Sequence, residues 1–236
     1  MISLLASTRK RVDSLLRMWK SAIDTATKPE DLQLVLYIDD DDIETRQAYN
    51  SVQPSVLAVI GPRLHILGQG INECYKACSG DICMVCTDDI VFRTPSWDDM
   101  VRDTFLSFTD KIMMVFGEDG IQHGSMATLP FISRNWIESV GYVLPPYFVN
   151  EFGDKWITDV AFMLKRYVYL PGMLIEHQHH YAGKMEVDST VTERERMRGD
   201  HTPEGGWMAY YDSLLYKRKK DVAKLQAVIA RYGRRS

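Results

Sequence analysis

The chain has 236 residues, 45% of them hydrophobic and 25% charged, with a net charge of -4. That apolar content excludes a largely disordered chain, and the length is enough for one large domain with a sizeable core. No run of about 18 apolar residues occurs, so no membrane-spanning helix is expected, and the N-terminus reverses the charge-then-apolar order of an export signal.

In chain order, the apolar run Ile2–Ala6 predicts a first strand. Val12, Leu15, Leu16, Trp19, Ile23 and Ala26 then recur at helical spacing, an amphipathic helix broken by Lys28-Pro29-Glu30. Leu32–Ile38 predicts a second strand, ending in four consecutive aspartates, Asp39 to Asp42. Leu64–Leu67 reads as a third strand, closed by Gly68-Gln69-Gly70. A helix follows over Asn72–Cys78, stopped by Gly80, and then a fourth strand, Ile82–Cys86, ending in Thr87-Asp88-Asp89. Strands alternating with helices imply a Rossmann-like α/β domain whose sheet is mainly parallel.

The second half predicts a strand at Lys111–Phe116 and a short helix at Arg134–Val140 entered through Phe131-Ile132-Ser133. A Pro/Tyr-rich loop over Leu144–Phe148 precedes a helix at Thr158–Arg166. The polar stretch Tyr181–Pro203 reads as a mobile loop or a linker. One long helix is expected from Trp207 to about Arg231.

Four cysteines, Cys74, Cys78, Cys83 and Cys86, fall within thirteen residues. On a strand, Cys83 and Cys86 point to opposite faces, which is poor spacing for zinc. They read as reduced core residues, which suits a reducing cytoplasm. The segment Lys217–Arg235 carries eight basic residues against Asp221, a charge of +7 that leaves -11 on the rest. Such a run is either a solvated helix face or a contact for phosphate or an anionic surface.

The polar clusters fall just after strands. In open α/β sheets ligands bind beyond the carboxyl ends of the strands, so Ser7-Thr8-Arg9, Asp39 and Asp88-Asp89 are expected on one rim. Paired carboxylates at a strand end either meet a cation or cap a turn into solvent. His177, His179 and His180 put three of the six histidines within four residues, beside Glu176. Imidazole with carboxylates suits Mn²⁺ or Mg²⁺ better than structural zinc. Asp159 stands in the first turn of a predicted helix, as a cap or as a general base for a hydroxyl acceptor, whereas Asp154 and Thr158 read as capping groups.

With these motifs in this order, the chain resembles inverting glycosyltransferases of the GT-A fold, similar to the large family 2 group. The Pro-Thr-Tyr-Asn-Arg-like turn of that family is matched by Ala6-Ser7-Thr8-Arg9, with Ala6 in place of proline. The uracil-binding Asp is matched by Asp39, and the Asn before the fourth strand by Asn72. The Asp-x-Asp motif corresponds to Thr87-Asp88-Asp89, the Glu-Asp motif with the base to Thr158-Asp159, and the metal-binding His to His177 or His179. Gly153-Asp154-Lys155-Trp156 and the His-x-His segment are similar to small phage members.

The resemblance implies a single GT-A domain over about residues 1–180. It also implies a nucleotide-diphosphate sugar donor, with UDP favoured, and a hydroxyl acceptor on a glycan or a modified DNA base. Asp159 would be the base. Ala6, Ser7, Thr8, Arg9, Asp39, Asn72 and Asp88 would hold the nucleotide, and Asp89, His177 and His179 would hold Mn²⁺ or Mg²⁺. Residues 1–110 would form the donor half, 111–206 the acceptor half, and 207–236 a basic C-terminal helix. A metal-dependent nucleotidyltransferase or phosphohydrolase would use the same acidic rim, but a Gly-rich phosphate loop is missing. A nucleic-acid-binding protein would use the basic tail, against the acidity of the remainder.

Overall fold

A computed structural model describes residues 1–49, 56–64, 66–149, 151–179, 183–184 and 186–233. Its eight strands are β1 (Ile2–Thr8), β2 (Leu32–Asp39), β3 (Val56–Gly61), β4 (Ile82–Cys86), β5 (Ile90–Phe92), β6 (Met114–Glu118), β7 (Phe131–Ser133) and β8 (Tyr167–His177). They form one sheet in the order β3-β2-β1-β4-β7-β6-β8-β5. The first four pair in parallel and β6 pairs with β8 in parallel, while β7 runs antiparallel to both β4 and β6, and β5 to β8. The mainly parallel α/β architecture expected from the sequence is therefore present.

Side-chain alternation along the strands builds two cores. On β1, Leu5 faces one layer while Ile2, Leu4 and Ala6 face the other. On β4, Cys83 and Val85 face the first layer and Met84 and Cys86 the second, so the two cysteines do part across the sheet. Helices α1 (Val12–Thr25) and α4 (Trp97–Leu106) cover the second face through Leu15, Met18, Trp97 and Phe105. Helices α3 (Leu67–Ala77), α5 (Arg134–Val140) and α6 (Gly153–Leu164) cover the first. Helix α2 (Ile43–Tyr49) follows the acidic end of β2.

Several boundaries depart from the sequence reading. The third strand is Val56–Gly61, not Leu64–Leu67, and Gly68-Gln69-Gly70 lies inside α3 instead of ending a strand. Gly70 is tolerated there because a Cβ would sit 3.2 Å from Ser7 Oγ, so the glycine lets the helix approach β1 closely. The loop expected at Tyr181–Pro203 contains a helix, α7 (Ser189–Asp200), capped by the Asp188 carboxylate accepting from Val191 N–H. The long C-terminal helix is two, α8 (Gly206–Ser213) and α9 (Leu215–Tyr232), hinged at Leu214. No described helix is long and apolar enough to cross a membrane.

The register of β6 against β8 shifts between Gly117 and Glu118. A Cβ at Gly117 would lie 2.3 Å from the Met173 carbonyl oxygen, a backbone atom that cannot turn aside. Gly117→Ala is expected to destabilise the fold by roughly 1–3 kcal/mol through overpacking. A urea midpoint equal to that of the parent would contradict this.

Half of the described basic residues of α9 turn onto the protein itself, while Lys219, Lys220 and Arg231 are exposed. Arg218 is buried, donates to the Tyr211 carbonyl at 2.7 Å and lies 3.9 Å from the Tyr211 ring centroid. Lys217 covers the Tyr147 ring at 3.8 Å, and Lys224 donates to the Val140 carbonyl at 2.7 Å. Buried Asp221 accepts from Tyr142 Oη and, at 3.1 Å, from Trp156 Nε1. Arg234 and Arg235 lie outside the described residues. A fully solvated face therefore does not describe this helix.

Candidate active site

The three strand-end clusters do share one rim. Thr8 Oγ1 donates to Asp88 Oδ2 at 2.8 Å, and Arg9 Nη1 donates to Asp39 Oδ2 at 3.0 Å. Arg9 Nη2 also reaches Asp41 Oδ2 at 2.9 Å. Parallel pairing of β1 with both β2 and β4 aligns their carboxyl ends, which is why residues 30 to 80 positions apart meet.

Strand β8 brings the histidine. Ile90 pairs with His177 across the antiparallel β5/β8 ladder, Gln178 N–H donates to the Asp89 carbonyl at 2.7 Å, and His177 N–H donates to the Asp119 carbonyl at 2.9 Å. This sets His177 Nε2 3.3 Å from Asp89 Oδ1. The His179 ring stands edge-on to it, centroids 5.1 Å apart. His180 lies outside the described residues.

Asp88 and Asp89 are both buried but differ electrostatically. Burial pushes the Asp88 carboxyl up, against the opposing pull of Arg11 and Thr8. Asp89 feels the same burial, yet His177, Thr87 and Arg11 outweigh it and hold its carboxyl well below the usual range. Arg11, also buried, contacts Asp88 Oδ1 at 3.2 Å and lies 3.9 Å from Asp89 Oδ2. Its other edge is bidentate to Asp188, at 2.7 and 2.9 Å. Burial opposes the charge on Arg11, but the bonds to Asp188 and Asp88 prevail and raise its pKa.

A cavity of about 550 Å³ opens beside this cluster, a size suited to a small-molecule ligand. Thr87, Asp89, His177 and His179 line one side. Leu144, Pro145, Phe148 and Phe152 supply apolar lining, and Glu151, Asp154 and Lys155 line it as well. Asp119, accepting from Ile121, Gln122 and Thr128, folds the short turn that contributes Ile121 and Gln122. Helix α7 crosses the mouth with Val191, Arg194, Glu195 and Arg198. Ion pairs tie this polar helix to the rest of the chain, Arg63 to Glu193 at 2.6 Å and Arg198 to Glu151 at 2.9 Å.

The sequence-derived site residues divide accordingly. Asp89, His177 and His179 reach the cavity; Thr8, Arg9, Asp39 and Asp88 stand behind them on the same rim. Ala6 does not reach it, being wholly buried in the α1-side core. Ser7, its neighbour, packs beneath Gly70 of α3. Asn72 does not either: its amide is spent on the Val143 and Leu144 backbone, with oxygen accepting at 2.8 and 3.2 Å and nitrogen donating at 2.8 Å.

Asp159 is the clearest departure. Its carboxylate accepts from Lys155 Nζ at 3.0 Å and from Tyr211 Oη at 2.6 Å, and it does not line the cavity. Asp154 lines the cavity instead. Five residues along a helix rotate a side chain by about 140°, so the two carboxylates cannot share a face. Phe152, at φ 67°, turns the chain sharply into α6 and presents Gly153 and Asp154 inward. Asp154 Oδ1 accepts from Lys155 N–H at 2.7 Å, and burial raises its carboxyl pKa. In the sequence Asp154 reads as a capping group, and the strained turn at Phe152 has no sequence signature. Arg11 and Asp188 were missed for a different reason: 177 residues separate them.

Among the described residues, no three His, Cys, Asp or Glu side chains converge as a closed metal cage. The adjacent carboxylate of Asp89 and imidazole of His177 do fit a hard divalent cation that completes its shell with substrate phosphate and water.

No family model matches the chain, and no curated protein sequence matches it. Its fold, however, is that of solved glycosyltransferases. Staphylococcus aureus TarS aligns over 83% of this chain and 42% of its own, with 10% identity and a TM-score of 0.60. A mannosyltransferase from Pyrobaculum calidifontis, solved with GDP-Man and Mn²⁺, aligns over 100% of this chain and 75% of its own, with 11% identity and a TM-score of 0.61. TarS residues 1–349 with UDP-GlcNAc align over 84% and 65%, at 11% identity and 0.59. The chain thus spans less than half of the full TarS structure. The glycosyltransferase fold expected from the strand-end motifs is borne out.

Proposed function

We propose that the chain transfers a sugar from a nucleotide-diphosphate donor, UDP-linked by preference, to a hydroxyl acceptor with inversion. The observation that carries this reading is the half-buried Asp154 carboxylate lining the same cavity as Asp89 and His177. Two of the similar structures hold nucleotide sugars.

In this mechanism the rim residues Asp39, Arg9 and Thr8 orient the nucleoside, and Arg194 and Arg198 offer positive charge to the diphosphate. Asp89 and His177, with His179 beside them, would hold Mn²⁺ or Mg²⁺, which neutralises charge on the leaving diphosphate. Asp154 takes the acceptor's hydroxyl proton on a carboxylate oxygen. The acceptor oxygen then bonds to the anomeric carbon as the carbon–oxygen bond to phosphate breaks, and the electron pair leaves with the nucleotide. Phe148, Phe152 and Leu144 exclude water and bind an apolar acceptor face. Residues 1–110 act as the donor half and 111–206 as the acceptor half. Four thiol cysteines suit a reducing compartment.

A thermal-shift panel of UDP, GDP, CDP and dTDP, each with and without Mn²⁺, tests the reading. A ligand at 100 times its Kd adds about 2.7 kcal/mol, a shift of a few degrees. The expected result is a Mn²⁺-dependent shift with UDP that Asp89→Ala removes. A flat panel overturns the donor assignment.

A further inference from the structure

We propose that Cys78 and Cys83 form a peroxide-sensitive dithiol site that oxidises to an intrachain disulfide. The site is independent of the sugar-transfer reading. Cys78 ends α3, the turn Ser79-Gly80-Asp81 follows, and Cys83 enters β4 facing back toward the helix. Their sulfurs are 3.7 Å apart. A disulfide needs about 2.05 Å, so the turn must give by roughly 1.7 Å or less.

The four cysteines are not equivalent. Cys74 Sγ lies 3.6 Å from the Ala6 carbonyl oxygen, and Cys86 Sγ lies 3.9 Å from Met18 Sδ. Both are core thiols whose pKa burial pushes up. Cys78 instead has Arg134 Nη2 3.5 Å from its sulfur. Arg134 is held there by the Gly80 carbonyl at 2.9 Å, the Cys78 carbonyl at 3.1 Å and Tyr75 Oη at 3.3 Å. The hydrogen bond shared with the Cys83 thiol, with the help of Arg134 and against burial, lowers the Cys78 pKa. The Arg134 guanidinium beside its sulfur makes Cys78 the thiolate and Cys83 the resolving thiol.

The chemistry balances with a hydroperoxide as oxidant. Cys78 thiolate attacks one peroxide oxygen; the S–O bond forms, the O–O bond breaks, and an alcohol (water, for hydrogen peroxide) leaves with a solvent proton. Cys83 sulfur then attacks Cys78 sulfur. The S–S bond forms, the S–OH bond breaks, and water leaves with the Cys83 proton. Both thiols are oxidised and the peroxide is reduced.

The test uses the full chain and hydrogen peroxide, followed by iodoacetamide and a non-reduced tryptic map. The expected product is the peptide Ala77–Arg93 two hydrogens lighter, with Cys86 alkylated. In untreated protein at neutral pH, Cys78 should alkylate roughly tenfold faster than Cys74 or Cys86. Cys83→Ser should stop Cys78 at a dimedone-trappable sulfenic acid. Cys78 reaching sulfinic acid in the parent without a bridge, or no peroxide reaction at all, overturns the proposal. So does alkylation of Cys78 at the rate of the core thiols.

Discussion

Asp154→Asn is expected to lower kcat by roughly 10²–10⁴-fold while leaving nucleotide affinity unchanged. The amide keeps the shape and the bond from Lys155 N–H but cannot accept the acceptor's proton. Asp159→Asn, by contrast, should keep most turnover, because that carboxylate is engaged by Lys155 and Tyr211 outside the cavity. The pair of substitutions separates the two helix carboxylates cleanly. Full activity in Asp154→Asn, or loss in Asp159→Asn alone, reverses the assignment. The parent should also show an acid limb in kcat/KM displaced upward from an ordinary aspartate. Burial disfavours the Asp154 anion, so the base form and the activity appear as pH rises through that raised pKa and are lost below it.

Arg11→Met should destabilise the fold by roughly 3–5 kcal/mol, because removing one member of a buried ion pair strands the other. Asp88 and Asp89 would be left side by side at the end of a buried strand, with their nearest cation gone. Asp188→Asn should cost far less, under about 1 kcal/mol, since the Asp188 side chain is 37% exposed and Arg11 keeps Asp88. Both substitutions should loosen α7, which buries only Val191 and is otherwise tethered by ion pairs. Urea midpoints measure the first effect, and amide exchange over Ser189–Asp200 measures the second. Equal losses of stability in the two variants would mean that Arg11 is a surface clasp and not the counter-charge of the acidic pair.

The acidic rim was legible because the chemistry is local: a buried β-branched or aliphatic run that stops at aspartates can only end at a polar edge. The alternation of Cys83 and Cys86 across the sheet was legible for the same reason, since side-chain direction on a strand has period two. Arg134–Val140 matches its predicted span because Ser133 caps the helix, accepting from Trp136 N–H.

The third strand was misplaced although Val56–Ile60 is an unbroken apolar run and Leu64–Leu67 is interrupted by His65. Pairing with β2, through Leu34 to Val56 and Asp39 to Gly61, chooses between them, and that is a tertiary contact. Helix α7 escaped notice because it has no apolar stripe; its docking rests on charges supplied by residues far away in the chain. Asn72 and Ala6 stood at motif positions, yet backbone carbonyls and core packing had already claimed them.

By itself, then, the sequence determined the α/β alternation of the first half, the two-faced burial of its strands and the edge where polar chemistry gathers. These follow from periodicity and from the cost of burying charge. Only the tertiary structure decided which carboxylate faces the cavity, which cation faces the acidic pair and which thiols touch. Those choices depend on helix rotation, on a strained turn at Phe152 and on contacts such as Arg11 with Asp188, and none of them leaves a trace in local spacing.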